Sequence, residues 1–267
     1  MIKYKMVVSD FDGTLSYDNK ISKNNLNAIN DFINRGGIFT ICTGRATCGI
    51  KPELESVGYK GYFASYNGAN IEDMLTGKTI YKNAISNEIA LRCVKLTEKL
   101  GVNTHIYPND VLTINKFNEY TKFYLMFNKI SYNEVGLLSD YLLKTGYDTC
   151  KILLIDDKEK ISASFPILKE SLPECNVIHA TDIMIEITLK GVSKASALQI
   201  LAELHGVDIN ETIAIGDAGN DVPMIQTAGL GIAMGNASNE VKSKADYVAP
   251  SVENDAIKHV IDKYCIW

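Results

Sequence analysis

Apolar and polar positions along this chain fall into blocks that read as strand, helix, strand. Residues 4–9 are a short apolar run and predict a strand, the polar stretch 10–21 a loop, and residues 22–35 a helix. In that helix Leu26, Ile29, Phe32 and Ile33 predict one inward face. Ser22 stands where an N-cap is needed, and Gly36 and Gly37 supply the stop. Residues 38–42 form a second apolar run, ended by Thr43, Gly44 and Arg45. Strand, helix and strand joined by short links predict a βαβ unit and hence a parallel sheet.

The last third repeats this rhythm. Residues 193–205 predict a helix with Leu198, Leu201 and Ala202 inward and Gly206 as its stop. Then come a strand "TIAIGD" ending at Asp217, a short helix "DVPMIQTA" and a strand "GLGIAMG". A helix "NEVKSKA", a strand "DYVAP" and a closing helix over 254–264 follow. The middle differs: helices over 87–100, 132–145 and 158–172 alternate with strands "VLTINK", "KFYLMF", "CKILLID" and "NVIHAT". "FYLMF" and "KILLI" are dense enough in apolar residues to be central strands. The pattern predicts an α/β fold: a Rossmann-like parallel-sheet core made of residues 1–81 and 187–267, with residues 82–186 inserted as an α+β domain.

Composition narrows the classes. The chain has 267 residues, 46% of them hydrophobic, enough to bury a core. The net charge of −5 offers no basic surplus for nucleic acid or an anionic membrane. The six cysteines include no CxxC pair and no Cys/His zinc spacing, so buried free thiols in a reducing cytosol are expected. The first ten residues, "MIKYKMVVSD", carry no long apolar segment before a cleavage site, and no run approaches a membrane span. A cytoplasmic protein, monomeric or weakly homo-oligomeric, is the expectation.

In open parallel sheets, ligands bind beyond the carboxyl ends of the strands. The polar groups predicted there are Asp10 and Asp12 after the first strand, Thr43 and Gly44 after the second, Lys194 at a helix start, and Asp217, Asn220 and Asp221 after "TIAIG". Crowded carboxylates are costly without a cation, and an all-oxygen donor set favours a hard ion such as Mg2+. Lysine, a threonine hydroxyl and backbone N–H groups near Gly13 and Gly44 suit phosphate oxygens. Together these are the parts of phosphoryl transfer, in which one carboxylate can attack phosphorus and another can move the proton.

"DFDGTL", "TGR", "KGVSKASAL" and "GDAGNDVPM", in this order, resemble the haloacid dehalogenase-like (HAD) superfamily, and within it the Cof-type class IIB phosphatases of small phosphate esters. The resemblance covers nearly the whole chain. It implies Asp10 as nucleophile and Mg2+ ligand, and Asp12 as general acid/base with its backbone carbonyl on the metal. It implies Thr43, Gly44, Gly13, Lys194 and Asn220 at the phosphate, Asp217 as a metal ligand and Asp221 in support. Asn67 and Gly68 match a recurrent turn of the family. The inserted domain would be a cap selecting a small phosphorylated metabolite such as a sugar phosphate. Two departures and alternatives accompany this: Ala195 stands where the family has glycine, and Arg45 suits a substrate contact and a structural ion pair equally. A phosphomutase, or a non-catalytic phosphate-binding protein, would use the same scaffold; the intact Asp12 argues against the second.

Overall fold

The computed structural model describes residues 3–18 and 20–265. Met1, Ile2, Asn19, Ile266 and Trp267 lie outside the described residues, and with them one position of the expected loop and both ends of the expected core. The chain divides into two compact units: Met1–Gly44, Lys60–Ile80 and Ser193–Trp267 form one, Arg45–Tyr59 and Tyr81–Val192 the other. Residues 45–59 thus group with the second unit, where the sequence pattern had assigned them to the core.

The first unit is built on an eight-stranded sheet. Along the chain its elements are β1 (Met6–Ser9), α1 (Lys23–Asn34), β2 (Ile38–Cys42), β3 (Tyr62–Ser65), β4 (Asn70–Asp73) and β5 (Lys78–Lys82), then α7 (Lys194–His205), β12 (Thr212–Gly216), α8 (Val222–Thr227), β13 (Leu230–Ala233), α9 (Asn239–Lys242), β14 (Tyr247–Val248) and α10 (Ala256–Tyr264). The strand order is β14-β13-β12-β1-β2-β3-β4-β5. Six strands, β14 through β3, run parallel, while β4 is antiparallel to β3. All four residues of β1 are buried, as expected for a strand covered on both faces.

Why α1 forms is visible in its ends: the Ser22 hydroxyl accepts from the Asn25 N–H, 3.0 Å. Its inward face is Asn25, Ala28, Ile29 and Phe32. Ile33, expected inward, is 42% exposed, because the buried stripe lies one position to the side. α7 is closed at its start by a capping box between Ser193 and Ser196 and at its end by Gly206 in the left-handed conformation.

The second unit has α2 (Thr47–Ser56), α3 (Asn87–Leu100), β6 (Thr104–Ile106), β7 (Leu112–Ile114), α4 (Glu119–Phe127), β8 (Tyr132–Glu134), α5 (Leu138–Thr145), β9 (Ile152–Ile155), α6 (Lys158–Ser171), β10 (Cys175–Thr181) and β11 (Met184–Leu189). Its six strands run in the order β10-β11-β9-β6-β7-β8, with β9 central as "KILLI" predicted. Ile106, Ile152, Leu154, Ile185 and Ile187 send one face of this sheet into a core shared with α3, α5 and α6.

Two assignments in this unit are corrected. "KFYLMF" is helical: Asn118 caps α4 by accepting from the Thr121 N–H, 2.9 Å, and Thr121 and Tyr124, three apart, are its buried residues. A nearly continuous apolar run concealed that period. The helix expected over 132–145 begins only at Leu138, because Gly136 at φ +75° turns the chain after β8. All six cysteines are free thiols. Among the described residues no helix is long and apolar enough to cross a membrane.

Candidate active site

Topology places the two acidic motifs side by side. β1 lies between β2 and β12 with Ser9 opposite Ile41 on one side and Ile215 on the other. The chain leaves β1 for one half of the sheet and returns later to the other, so β1 marks the switch point, where neighbouring connections diverge and leave a crevice. The Asp10 N–H donates to the Ile215 carbonyl, 2.9 Å, extending the pairing by one residue before both chains turn.

Asp10 is buried there, and its Oδ1 accepts from Lys194 Nζ at 2.5 Å. Lys194, the first residue of α7, is 1% exposed and donates equally to Asp221 Oδ1, 2.5 Å. The other Asp221 oxygen accepts from the backbone N–H groups of Asp217 and Ala218, both 2.9 Å. Asp10, Asp217 and Asp221 offer oxygens within 4.8 Å of one another. Three carboxylates against one ammonium leave an excess of negative charge, and an all-oxygen donor set of this kind fits a hard divalent cation. Asp12 stands outside this triad, exposed on the turn after β1.

The phosphate candidates are joined by Asn67. Its N–H donates to the Thr43 carbonyl, 2.9 Å, and its Oδ1 accepts from Asn220 Nδ2, 3.0 Å. Asn67 sits at φ +56°, a conformation asparagine tolerates, and a Cβ on the following Gly68 would lie 2.7 Å from the Ser193 carbonyl. The turn therefore packs directly on the start of α7. Thr43 is buried, and its N–H donates to Ala64 of β3, 2.9 Å. The Gly13 N–H donates to the Ser16 carbonyl, 2.9 Å, and closes the turn after β1. Its glycine identity has a steric cause. At φ +75° a Cβ would fall 2.5 Å from Asp217 Oδ2.

A family model described as haloacid dehalogenase-like hydrolase matches residues 7–261. The chain belongs to the haloacid dehalogenase-like hydrolases. This hydrolase is 28% identical to the 5-amino-6-(5-phospho-D-ribitylamino)uracil phosphatase YcsE of Bacillus subtilis, over 97% of this chain and 95% of that one. Among solved structures it is similar to a haloacid dehalogenase-like hydrolase from Bacteroides thetaiotaomicron, with a TM-score of 0.88 at 28% identity, covering 97% and 99% of the two chains. It is also similar to the HAD subclass IIB sugar phosphatase BT4131, with a TM-score of 0.83 at 25% identity over 97% and 98%. The hydrolase is an enzyme of the HAD phosphatase type.

Electrostatics follow from burial. Burial pushes the Asp10 carboxyl up to about 8, with Asp221 and Asp217 adding to the rise and Lys194 opposing it. Asp217 is raised as well, by burial and then by Asp221, against the Thr14 hydroxyl that donates to it at 3.0 Å. Burial works against the Lys194 ammonium, but Asp10 and Asp221 outweigh it and hold the group charged. The Cys42 thiol, buried at the end of β2, is pushed up to about 12 by burial and stays neutral. Sequence reasoning passed over Thr14 and Asn236. The first was legible in "DGT" as a hydroxyl beside the acidic turn. Asn236, whose Nδ2 donates to the Gly13 carbonyl at 2.9 Å, had no local signal, since 223 residues separate the pair.

Proposed function

We propose that this phosphatase hydrolyses a small phosphate monoester, a sugar phosphate or similar metabolite, with Mg2+, through an aspartyl-phosphate on Asp10. The observation that carries the reading is the buried Asp10 carboxylate 2.5 Å from the Lys194 ammonium and grouped with Asp217 and Asp221. Asp10, Asp217 and, in support, Asp221 would hold the cation, which supplies Lewis-acid neutralisation of phosphate charge. Lys194 opposes the burial that favours a neutral Asp10 and offers further donors to phosphate oxygens. Thr43, Gly44 and Asn220 bind the remaining phosphate oxygens.

One Asp10 oxygen attacks phosphorus as the ester P–O bond breaks, and the Asp12 carboxyl gives its proton to the departing alcohol oxygen. Asp12, now a carboxylate, takes a proton from water while that water's oxygen attacks phosphorus. The Asp10–phosphorus bond breaks, inorganic phosphate leaves, and both aspartates return to their starting states. Asp12 suits proton movement because its side chain stands outside the carboxylate triad. The second unit acts as the substrate-selecting cap in this reading. A sugar phosphatase among the similar structures and a phosphoribityl phosphatase among the relatives favour a polyhydroxylated leaving group.

A phosphate-release screen over sugar phosphates, nucleotides, flavin mononucleotide and pyridoxal phosphate, with and without Mg2+, tests this. Mg2+-dependent release, lost in Asp10→Asn by ~10³-fold or more, is expected. Asp10→Asn retaining wild-type turnover would sink the mechanism. Isomerisation of a sugar phosphate with little phosphate release would make the enzyme a mutase.

A further inference from the structure

The helix concealed in "KFYLMF" leaves an apolar face uncovered. Thr121 and Tyr124 turn α4 inward, while Phe123, Met126 and Phe127, spaced i, i+3, i+4, turn outward at 40%, 67% and 60% exposure. The Phe123 and Phe127 rings meet edge to face with centroids 5.2 Å apart, so they already pack on each other. A fully buried aromatic contributes about 150–250 Å². At these exposures the three side chains present about 300 Å², which is as large as the largest apolar patch on many monomers.

We propose that this face is covered by α4 of a second copy of the chain, in an antiparallel two-fold contact. Charge favours that occupant. Glu119 is exposed in the first turn of α4, and Lys129 is exposed just beyond its last turn. A two-fold axis between Tyr124 and Leu125 lays the apolar cluster on its own copy, with Phe123 of one opposite Met126 of the other. It also brings Glu119 of one copy alongside Lys129 of the other, at both ends. The opposed helix dipoles agree with this arrangement. Glu119 lies 3.5 Å from Lys122 in the free surface, an exposed pair whose rearrangement costs little.

Area sets the strength. Two such faces bury about 600 Å² of apolar surface, and homodimer interfaces are about 65% apolar, so the whole contact is about 1,000 Å². That stands at the lower limit for specific association, and the dimer is therefore weak and concentration-dependent.

Sedimentation velocity on the full chain, from low-micromolar to submillimolar concentration, reads the result. The wild type shifts from monomer to dimer across that range. Met126→Glu/Phe127→Glu stays monomeric throughout, with an unchanged thermal melt and unchanged phosphate release. Glu119→Lys and Lys129→Glu each weaken the dimer at least several-fold, and the double exchange restores it. A wild type monomeric at every concentration overturns the proposal. So does a dimer indifferent to the Met126/Phe127 change, or charge variants whose combination fails to restore association. The charge series decides the matter even where the apolar variant fails to fold.

Discussion

Burial pushes Asp10 toward its neutral form, and the 2.5 Å contact with Lys194 pulls it back. The lysine is thus a charge balance for the protein, whatever its proposed part at the phosphate, since it serves Asp221 at the same distance. Lys194→Met leaves two buried carboxylates without their counter-ion, and breaking a buried pair this way costs about 3–5 kcal/mol. Urea denaturation in metal-free buffer, above the pH of about 8 where Asp10 ionises, should show a loss of that order. The loss shrinks as pH falls through about 8, where Asp10 protonates; a loss independent of pH would assign Lys194 a packing role only. Asp12 makes the opposite case, exposed and apart from the triad. Asp12→Asn should lower turnover by ~10²–10⁴-fold, the usual range for a general acid/base, while acid-quench trapping still detects phosphoenzyme. Wild-type turnover in that variant would remove Asp12 from the reaction. The sequence identified Asp10 and Lys194 as charged residues in a suggestive order, but their contact joins positions 184 apart and depends on the sheet.

Elements were legible to the degree that their periodicity was interrupted by polar residues. α1 and α7 alternate clearly and carry cap residues, and their ends fall where Ser22, Ser193 and Gly206 predict. α4 has almost no polar interruption, so its period was invisible until Tyr124 was seen buried and Phe127 exposed. No element was predicted between Thr47 and Lys82, where α2, β3, β4 and β5 form from short mixed segments. β6 illustrates what an element can hide. His105 on this strand is buried, accepts or donates at Thr121 Oγ1 (3.0 Å), and packs against Tyr124. Burial, and then the Lys151 charge, lower it to about 3. The unfolded chain therefore binds a proton near pH 6.5 that the folded chain refuses until about 3. This contribution to stability is whole above pH ~6.5 and is lost as pH falls through that window, by up to ~1.4 kcal/mol per pH unit. Urea midpoints between pH 7 and pH 4.5 should fall less steeply in His105→Gln than in the wild type; parallel curves would count against a neutral His105.

At the scale of the whole molecule, an excess of buried negative charge makes the first unit a cation acceptor in the proposed reading. A ligand bound only by the folded state stabilises by about 2.7 kcal/mol at a hundredfold excess over Kd. Mg2+ should therefore raise the melting temperature of the wild type, and Asp217→Asn should largely remove that rise while keeping the fold. An equal rise in both proteins would place the cation elsewhere. The sequence by itself determined the fold class, the capped helices, the buried parallel strands and the order of the acidic motifs. These depend on local pattern, on burial and on residue chemistry within a few positions. Only the tertiary structure decided that Asp221 spends its oxygens on Lys194 and two backbone N–H groups. Tertiary structure alone showed that Gly13 yields space to Asp217, that Asn67 ties the Thr43 loop to Asn220, and that "KFYLMF" coils. Each of these depends on contacts between residues distant in the chain, or on which face of an apolar run finds a core, and no local pattern carries that information.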